Sequence, residues 1–229
     1  MLNTPAEPAV SDRAGAGLPR WVEVPSAALG LLACLPLLLL AGAAIKLSSK
    51  GAVLFRQARA GRRGRPFVLY KLRTMRAGAG GPLVTAAGDP RITKVGRLLR
   101  ASKLDELPEL WNVIRGDMSL VGPRPEVPEL VDLSDPLWQQ VLRQRPGITD
   151  PVSIRLRHEE ALLDRVAGDR ERYYRETLQP LKLRGYIRYR RERSWRRDLQ
   201  VLLQTLLELL RSPRSAAAQP SDSQTERER

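Results

Sequence analysis

The apolar and polar residues are unevenly distributed along the chain, and one uninterrupted apolar run stands near its beginning. Ala27 to Ile45 contains no charged side chain. A helix of about 19 residues rises ~1.5 Å per residue and reaches about 29 Å, close to the hydrocarbon thickness of a bilayer. The run therefore predicts a membrane helix. A signal peptide fits less well, because its apolar core is usually about 7–15 residues long.

A proline divides this run and predicts a break in the membrane segment, which we place at residues 21–50. Pro36 removes a helical hydrogen bond, and its ring collides with the carbonyl group of Leu32. Two arrangements follow: a bent helix that spans the bilayer, or a re-entrant hairpin that enters and leaves on one face. Basic residues are denser after the run than before it, which places the main body on the cytoplasmic side.

Beyond the membrane segment, shorter patterns predict a compact domain over residues 51–211. Two β-branched or aromatic runs, Ala52–Gln57 and Phe67–Arg73, predict a β-hairpin with a Gly- and Arg-rich link. The proline-rich stretch Met118–Glu129 predicts a loop. Apolar residues at helical spacing predict helices over Ile92–Ser102, Pro108–Arg115, Asp135–Arg143, His158–Val166, Arg170–Leu178 and Arg193–Arg211.

The ends of the chain complete the expected organisation. The last predicted helix is amphipathic, so it either packs on the core or lies on the bilayer surface. Residues 1–20 and 212–229 have the composition of flexible tails. The expected fold class is α+β and mainly helical. It comprises one N-terminal re-entrant or kinked membrane helix and a compact cytoplasmic domain with a small β-hairpin and an amphipathic interfacial helix.

The charge balance favours anionic partners. Lys and Arg number 39 against 25 Asp and Glu, which gives a net charge of +14. Such an excess suits nucleic acid, an anionic membrane surface or phosphorylated substrates. The single cysteine, Cys34, excludes an internal disulfide. The single histidine, His158, argues against a His-based zinc site or a Ser–His–Asp triad.

An acidic pair, Asp105 and Glu106, stands within this basic chain in the sequence KLDELPEL. The pair falls in a break between two predicted helices. Leu107 precedes a proline and is therefore expected to avoid helical angles. One interpretation is structural, because a carboxylate caps the positive end of the helix that begins at Pro108. The other is chemical, because carboxylates hold Mg²⁺ and can attack phosphorus.

Arginines in rigid loops accompany the pair on both sides. Arg100 precedes it, Arg124 follows in a Gly-Pro-Arg-Pro loop, and Arg145 precedes Pro146-Gly147. Guanidinium groups bind phosphate in a bidentate manner. Together with the membrane segment, these residues indicate phosphoryl chemistry on a lipid-linked substrate.

Three sequence blocks, in this order, resemble the bacterial sugar transferase family, the monotopic polyprenyl-phosphate phosphoglycosyl transferases. The first runs from Gln57 to Met75 (Q-x-R-x-G-x-x-G-x-x-F, then KLRTM). The second, Arg100 to Pro125, holds the acidic pair and is the most specific. The third is Arg145 to Thr149. The resemblance extends from the apolar helix to about Thr205, which is most of the chain.

The resemblance implies a two-step enzyme reaction. Asp105 would attack the β-phosphate of a UDP-sugar, release UMP and carry the phosphosugar as an acyl phosphate. Polyprenyl (undecaprenyl) phosphate would then accept the phosphosugar. Glu106 would help to bind Mg²⁺ as the cofactor. The basic residues that match family positions around the phosphates are Lys71, Arg100, Arg124 and Arg145.

The resemblance also implies a place and a set of partners. The helix broken at Pro36 would be re-entrant, in the bacterial inner membrane, with the catalytic domain facing the cytoplasm. Family members commonly have Ser before this proline, where this chain has Leu35. The expected role is the first membrane step of a surface glycan pathway, such as exopolysaccharide or lipopolysaccharide synthesis. Expected partners are the UDP-sugar, polyprenyl phosphate, anionic inner-leaflet lipids and other glycan-assembly enzymes, with no nucleic acid.

Two other functions compete with this one. The charge also suits a membrane-tethered nucleic-acid-binding protein, but aromatic residues make up only 5% of the chain and no binding motif stands out. A scaffold without catalysis would use the acidic pair only as a helix cap.

Overall fold

The computed structural model describes residues 15–86 and 88–210. The predicted tail 212–229 and residues 1–14 of the predicted N-terminal tail lie outside the described residues. The described chain is mainly helical and contains two two-stranded sheets. This confirms the expected mixed, mainly helical class.

Two consecutive helices, α1 (Arg20–Ala33) and α2 (Leu35–Ser48), form the N-terminal part and are bent by 56° at their junction. Pro36 lies in the first turn of α2, where the missing N–H breaks no helical hydrogen bond. The predicted break is therefore confirmed. Within the described chain, no single helix has the length and composition to cross a bilayer, whereas this bent pair together has both.

The predicted hairpin is present and lies slightly later than expected at its first strand. Strand β1 (Leu54–Ala60) pairs with β2 (Pro66–Leu72) in antiparallel register, with Leu54 opposite Leu72. A tight 3₁₀ turn over Arg62–Gly64 closes the link, so pairing continues through Ala60.

Two helices flank the acidic pair. Helix α3 (Lys94–Ala101) begins where Thr93 accepts a hydrogen bond from Gly96 N, and α4 (Glu109–Arg115) ends at Gly116, whose φ is +88°. The prediction for Leu107 is wrong, because its φ of −54° and ψ of −36° are helical. Its N–H donates to Leu104 O at 3.3 Å, and this turn outweighs the crowding by the following proline.

The stretch predicted as a loop contains a strand. Strand β3 (Ser119–Val121) pairs in parallel with β4 (Gly147–Thr149). A Cβ added to Gly147 would lie 2.1 Å from Gly122 N, so only glycine allows this approach. The pairing brings the Gly-Pro-Arg-Pro loop against the Arg-Pro-Gly segment.

Further helices follow in the C-terminal half. The predicted helix over Arg170–Leu178 passes through a π-helical turn, Tyr174–Leu178, and continues into a long helix that was not predicted. The helices are α5 (Pro136–Val141), α6 (Pro151–Arg155), α7 (Glu159–Asp164), α8 (Arg170–Tyr173), α9 (Gln179–Glu192) and α10 (Trp195–Leu210).

The amphipathic helix α10 packs through a narrow stripe. Val201 is buried in the core, whereas Leu203 and Leu206 are more than half exposed. Core packing therefore accounts for only part of its apolar surface.

Helix α1 contributes to the core of the domain. Ala27 of α1 packs in one buried cluster with Leu69 of β2, Val113 of α4 and Met118. Ala27, Val113 and Met118 are fully enclosed. Helix α1 is therefore built into the globular body on its N-terminal half.

Candidate active site

The acidic pair occupies a 3₁₀ turn, Leu104–Glu106, between α3 and α4. Lys103 opens this turn with a φ of +57°, a left-handed conformation that is uncommon outside glycine. The side of the turn faces strand β2, which supplies Lys71, and the loop after β3, which supplies Arg124. Three separate segments thus converge on two adjacent carboxylates.

Glu106 is neutralised by its neighbours. Its Oε1 accepts hydrogen bonds from Arg124 Nη2 at 2.5 Å and Lys71 Nζ at 3.1 Å, and Lys103 Nζ lies 4.0 Å away. Burial alone would raise the pKa of Glu106, but the charges of Arg124 and the two lysines outweigh it and hold this pKa well below its usual value. Glu106 is therefore ionised at neutral pH.

Asp105 stands in a different environment from its neighbour. It is buried, and its Oδ1 has no hydrogen-bond partner among the described residues. Burial raises the pKa of Asp105, and the negative charge of Glu106 raises it further. The structure thus pairs a neutralised carboxylate with a desolvated one, whose Oδ1 accepts no hydrogen bond from the described residues.

Glu109 is a third carboxyl group of the site, and the sequence analysis missed it. It is 1% exposed, and its Oε1 lies 3.1 Å from Lys71 Nζ, so Lys71 serves both Glu106 and Glu109. Burial is the main cause of the raised pKa of Glu109. Glu109 follows Glu106 by three positions and Asp105 by four. This spacing could have revealed Glu109 from the sequence, because residues three or four apart lie on one face of a helix.

Arg100 reaches the site from α3. Its Nη2 forms an ion pair with Glu160 of α7, and its Nη1 lies 3.4 Å from Thr74 Oγ1. Its charge lowers the pKa of Asp105, against the opposing effect of burial. The structure therefore brings Lys71, Arg100 and Arg124 together around the acidic pair.

Arg145 does not join this cluster. Its Nε donates to Gly116 O at 3.0 Å, at the far end of α4. Burial lowers the pKa of Arg145, and the charges of Arg20 and Arg62 lower it further. The grouping of Arg145 with the other three basic residues is a correction to the sequence analysis, because parallel pairing of β3 and β4 directs it elsewhere.

The loop that carries Arg124 is anchored by a buried polar network. Arg59 Nη1 donates to Pro125 O at 3.1 Å, and Ala60 N donates to Glu126 O at 2.8 Å. The Glu126 side chain accepts a hydrogen bond from Tyr174 and one from Lys182 Nζ. These bonds fix the loop on β1 and hold the guanidinium of Arg124 in place.

The donor set fits one Mg²⁺ ion with few protein ligands. In the described part of the chain, no three His, Cys, Asp or Glu side chains come together as a metal cage. Mg²⁺ is usually held by one or two carboxylates together with water and substrate phosphates. The unpartnered Oδ1 of Asp105 fits this pattern, whereas Glu106 Oε1 already accepts from Arg124 and Lys71.

An apolar groove of about 450 Å³ adjoins the site. Leu31 and Leu38 of the helix pair line it, together with Tyr70 of β2. Pro108 and Trp111, which follow the acidic pair along the chain, also line it. The groove therefore joins the apolar helices to the residues next to Asp105 and Glu106.

Comparison with known proteins gives a consistent result. Residues 15–212 match the family model described as bacterial sugar transferase. The UDP-glucose:undecaprenyl-phosphate glucose-1-phosphate transferase of Caulobacter vibrioides is 42% identical over 201 residues, which cover 83% of this chain and 69% of that protein.

Two further relatives match over shorter regions. A putative undecaprenyl-phosphate N-acetylgalactosaminyl 1-phosphate transferase of Bacillus subtilis is 41% identical over 48% of this chain and 62% of its own length. The undecaprenyl-phosphate glucose phosphotransferase of Komagataeibacter xylinus is 43% identical over 57% of this chain and 26% of its own. The chain thus spans less than two thirds of these two proteins. Its match to the family model covers most of its length, and the chain belongs to the bacterial sugar transferase family.

Proposed function

We propose that this protein transfers a phosphosugar from a UDP-sugar to undecaprenyl phosphate and releases UMP. The names of its relatives support the two substrates, since they include transferases of glucose 1-phosphate and of N-acetylgalactosamine phosphate. The observation that carries the proposal is the contrast within the acidic pair. Glu106 is neutralised by Arg124 and Lys71, whereas Asp105 keeps a buried oxygen without a partner.

This contrast supports Asp105 as the nucleophile. In the first step, a carboxylate oxygen of Asp105 forms a bond to the β-phosphorus of the UDP-sugar. The bond from that phosphorus to the oxygen bridging the two phosphates breaks, and UMP leaves with the electron pair. Arg124, Lys71 and Arg100 stabilise the charge on the phosphate oxygens during this step.

The second step regenerates the carboxylate. A phosphate oxygen of undecaprenyl phosphate attacks the phosphorus held by Asp105, and the bond to the carboxylate oxygen breaks. The product is the undecaprenyl diphosphate sugar. A covalent intermediate allows a soluble substrate and a membrane substrate to use one site in turn.

The residues present also suit the predicted cofactor. Bound Mg²⁺ would neutralise phosphate charge at the site. Asp105 would hold it through Oδ1, which has no hydrogen-bond partner in the described chain. Glu106, the predicted ligand, would contribute Oε2, where the bond from Arg124 Nη1 is long at 3.4 Å.

The attachment of the helix pair supports a re-entrant arrangement. At the start of α1, Glu23 Oε1 accepts a hydrogen bond from Leu120 N at 3.0 Å. Just past α2, Ser49 O accepts one from Arg73 Nη2 at 2.9 Å. Both ends of the pair are therefore tied to the same domain, whereas ends on opposite faces of a bilayer would be about 30 Å apart. We place the domain on the cytoplasmic face of the inner membrane.

Exposed apolar surface supports this placement. Leu29, Leu32, Leu39 and Leu40 near the bend are each about two thirds exposed. Water would penalise such a surface, whereas lipid tails would cover it. The apolar groove then offers the prenyl chain a path from the bilayer to Pro108, beside the acidic pair.

The test is a reconstitution with purified protein, Mg²⁺, undecaprenyl phosphate and a panel of UDP-sugars. We expect UMP release with at least one sugar, dependent on undecaprenyl phosphate. Release of UMP by none of the sugars would contradict the proposal.

A further inference from the structure

The tip of the β1–β2 hairpin borders a cavity that the proposed reaction does not use. Its volume is about 460 Å³. The residues that give it its character are Arg62, Arg63, Arg65, Phe67, Asp117 and Arg145. Four guanidinium groups therefore surround one cavity with a single carboxylate.

The positive charge in this cavity exceeds the negative charge around it. Glu23, whose charge acts on Arg145, already pairs with Arg20 at 3.1 Å. Asp117 already pairs with Arg115, whose Nε lies 3.4 Å from its Oδ2. Among the described residues, none of the four cavity arginines forms an ion pair with a carboxylate. Instead Arg62 Nε donates to Arg143 O at 3.1 Å, and Arg145 Nε donates to Gly116 O at 3.0 Å.

The hairpin tip is fixed rather than free to fold away. Arg63 N donates to Leu142 O at 2.7 Å, and Gly61 N donates to Arg65 O at 2.9 Å. Arg63 is held at a φ of +59°, a left-handed conformation that non-glycine residues rarely adopt. The surrounding structure thus keeps the arginines beside one another despite their mutual repulsion.

This cavity is separate from the acidic pair. Asp105 and Glu106 precede α4, whereas Gly116 and Asp117 follow it. The seven residues of α4 span about 10 Å, and Arg145 is bound to Gly116 O at the end of α4 opposite the acidic pair.

The cavity lies beside the start of the apolar helix pair. Arg20, the first residue of α1, donates to Val113 O at 2.6 Å and to Met118 O at 3.0 Å, on either side of Gly116. The next residue, Trp21, is 77% exposed, as suits a side chain at a membrane interface.

From these contacts we infer that the hairpin-tip cavity is a second anion site, which binds a phosphate group through Arg62, Arg63, Arg65 and Arg145. Guanidinium forks match the geometry of phosphate oxygens, and a dianion or diester would supply the missing counter-charge. The phosphate could belong to a phospholipid headgroup or to a soluble compound. The neighbouring start of α1 favours the headgroup of an anionic lipid.

Residue-resolved labelling tests this inference without relying on catalysis. Phenylglyoxal, which modifies arginine side chains, is applied to the full chain in dodecyl maltoside micelles, which contain no phosphate. One arm adds phosphatidylglycerol and another adds inorganic phosphate, and mass spectrometry quantifies each arginine. We expect several-fold protection of Arg63 and Arg65, with no change at the exposed Arg184 and Arg188 of α9.

The two arms identify the source of the phosphate. Protection by phosphatidylglycerol alone assigns a lipid headgroup, and protection by inorganic phosphate assigns a soluble ligand; either supports the site. Equal labelling of Arg63 and Arg65 in all three samples would overturn it, whatever the result of the UMP-release assay.

A pair of matched variants provides a second measurement. Arg63→Gln with Arg65→Gln removes two charges from the cavity, and Arg184→Gln with Arg188→Gln removes two from α9. We expect the first variant alone to lose several-fold in affinity for the protecting probe. Equal affinity of the two variants would also overturn the inference.

Discussion

Arg124 and Glu106 meet at 2.5 Å, between Nη2 and Oε1, and this contact organises the site around the acidic pair. It joins the loop after β3 to the turn between α3 and α4. Because Arg124 and Lys71 offset the charge of Glu106, we propose its neighbour Asp105 as the reactive carboxylate.

Replacement of the nucleophile should abolish turnover and leave the fold intact. Asp105→Asn keeps the size of the side chain and removes the attacking carboxylate. We expect UMP release to fall by at least ~10³-fold, a loss of about 4 kcal/mol in transition-state stabilisation. Intact-mass measurement with UDP-sugar alone should show a phosphosugar adduct in the unaltered protein and none in the variant.

The exposed Asp132 provides the control, since Asp132→Asn lies on the surface. It should form the adduct normally. An adduct on Asp105→Asn would move the nucleophile to another residue.

Removal of Arg124 should destabilise the fold through Glu106. Arg124→Met leaves the partly buried carboxylate of Glu106 with Lys71 but without its closest partner, and we expect the free energy of unfolding to fall by about 1–3 kcal/mol. Urea denaturation measures this change. In Arg124→Met with Glu106→Gln the loss should be smaller, because no unpaired charge remains. Equal losses in the single and double variants would show that the ion pair is not the cause.

The pH dependence should reflect the raised pKa of Asp105. The nucleophile must be ionised, so the acidic limb of the rate profile should lie above the usual aspartate value of 3.8. The positive charge of Lys103 opposes this shift. Lys103→Met should therefore move the limb to higher pH, whereas Lys94→Met, on the exposed face of α3, should leave it in place. A limb that moves equally in both variants would contradict this assignment.

Stability should change with pH in opposite directions for the two carboxylates. The folded-state pKa of Glu106 is depressed, so its contribution is present above the unfolded value and is lost as pH falls through the folded value. The folded-state pKa of Asp105 is raised, so its contribution is present below the unfolded value and declines as pH rises through the folded value. In Glu106→Gln, unfolding curves measured below pH ~4.5 should therefore lose less stability with acid than those of the unaltered protein.

The close approach of β3 and β4 should not tolerate a side chain. Gly147→Ala places a Cβ 2.1 Å from the backbone of Gly122, and we expect a loss of at least ~2 kcal/mol of unfolding free energy. Gly80→Ala, with nothing within 4 Å of the added atom, is the matched control. Thermal unfolding measures the midpoint temperature of each variant. Equal midpoints for Gly147→Ala and Gly80→Ala would contradict the prediction, because they would mean that β3 and β4 move apart at little cost.

The re-entrant arrangement predicts the side from which each end of the helix pair is labelled. In a Cys34→Ser background, Trp21→Cys and Lys50→Cys should both react with an impermeant maleimide in inside-out vesicles. A spanning helix would instead expose only Lys50→Cys there. In right-side-out vesicles, a re-entrant pair should leave both cysteines unlabelled, whereas a spanning helix should expose Trp21→Cys.

Much of the site's framework follows from local rules that a sequence reveals. Pro36 predicts the bend, the Gly-Arg link predicts the hairpin, and Gly116 predicts the end of α4. Each of these depends on a backbone preference within a few residues. The convergence of Lys71 and Arg124 on the acidic pair is long-range. The rigid loop motif pointed to Arg124, whereas only the family resemblance indicated Lys71.

The features that the sequence analysis did not predict depend on contacts with other residues of the folded chain. The parallel pairing of β3 with β4 joins segments with intervening helices and depends on two glycines that touch only in the folded state. That pairing also decides where Arg145 lies, so its position could not be inferred from its motif. Leu107 adopts helical angles because a turn formed by its neighbours outweighs a one-residue preference.

The fully enclosed position of Ala27 has a practical consequence for handling this protein. Its neighbours in the core are Leu69, Val113 and Met118, so a chain trimmed to begin at residue 51 would open a hole in the catalytic body and leave Leu120 N without its carboxylate acceptor. We therefore expect the helix pair and the rest of the domain to unfold together, so that a shortened chain without the pair would lose part of its core.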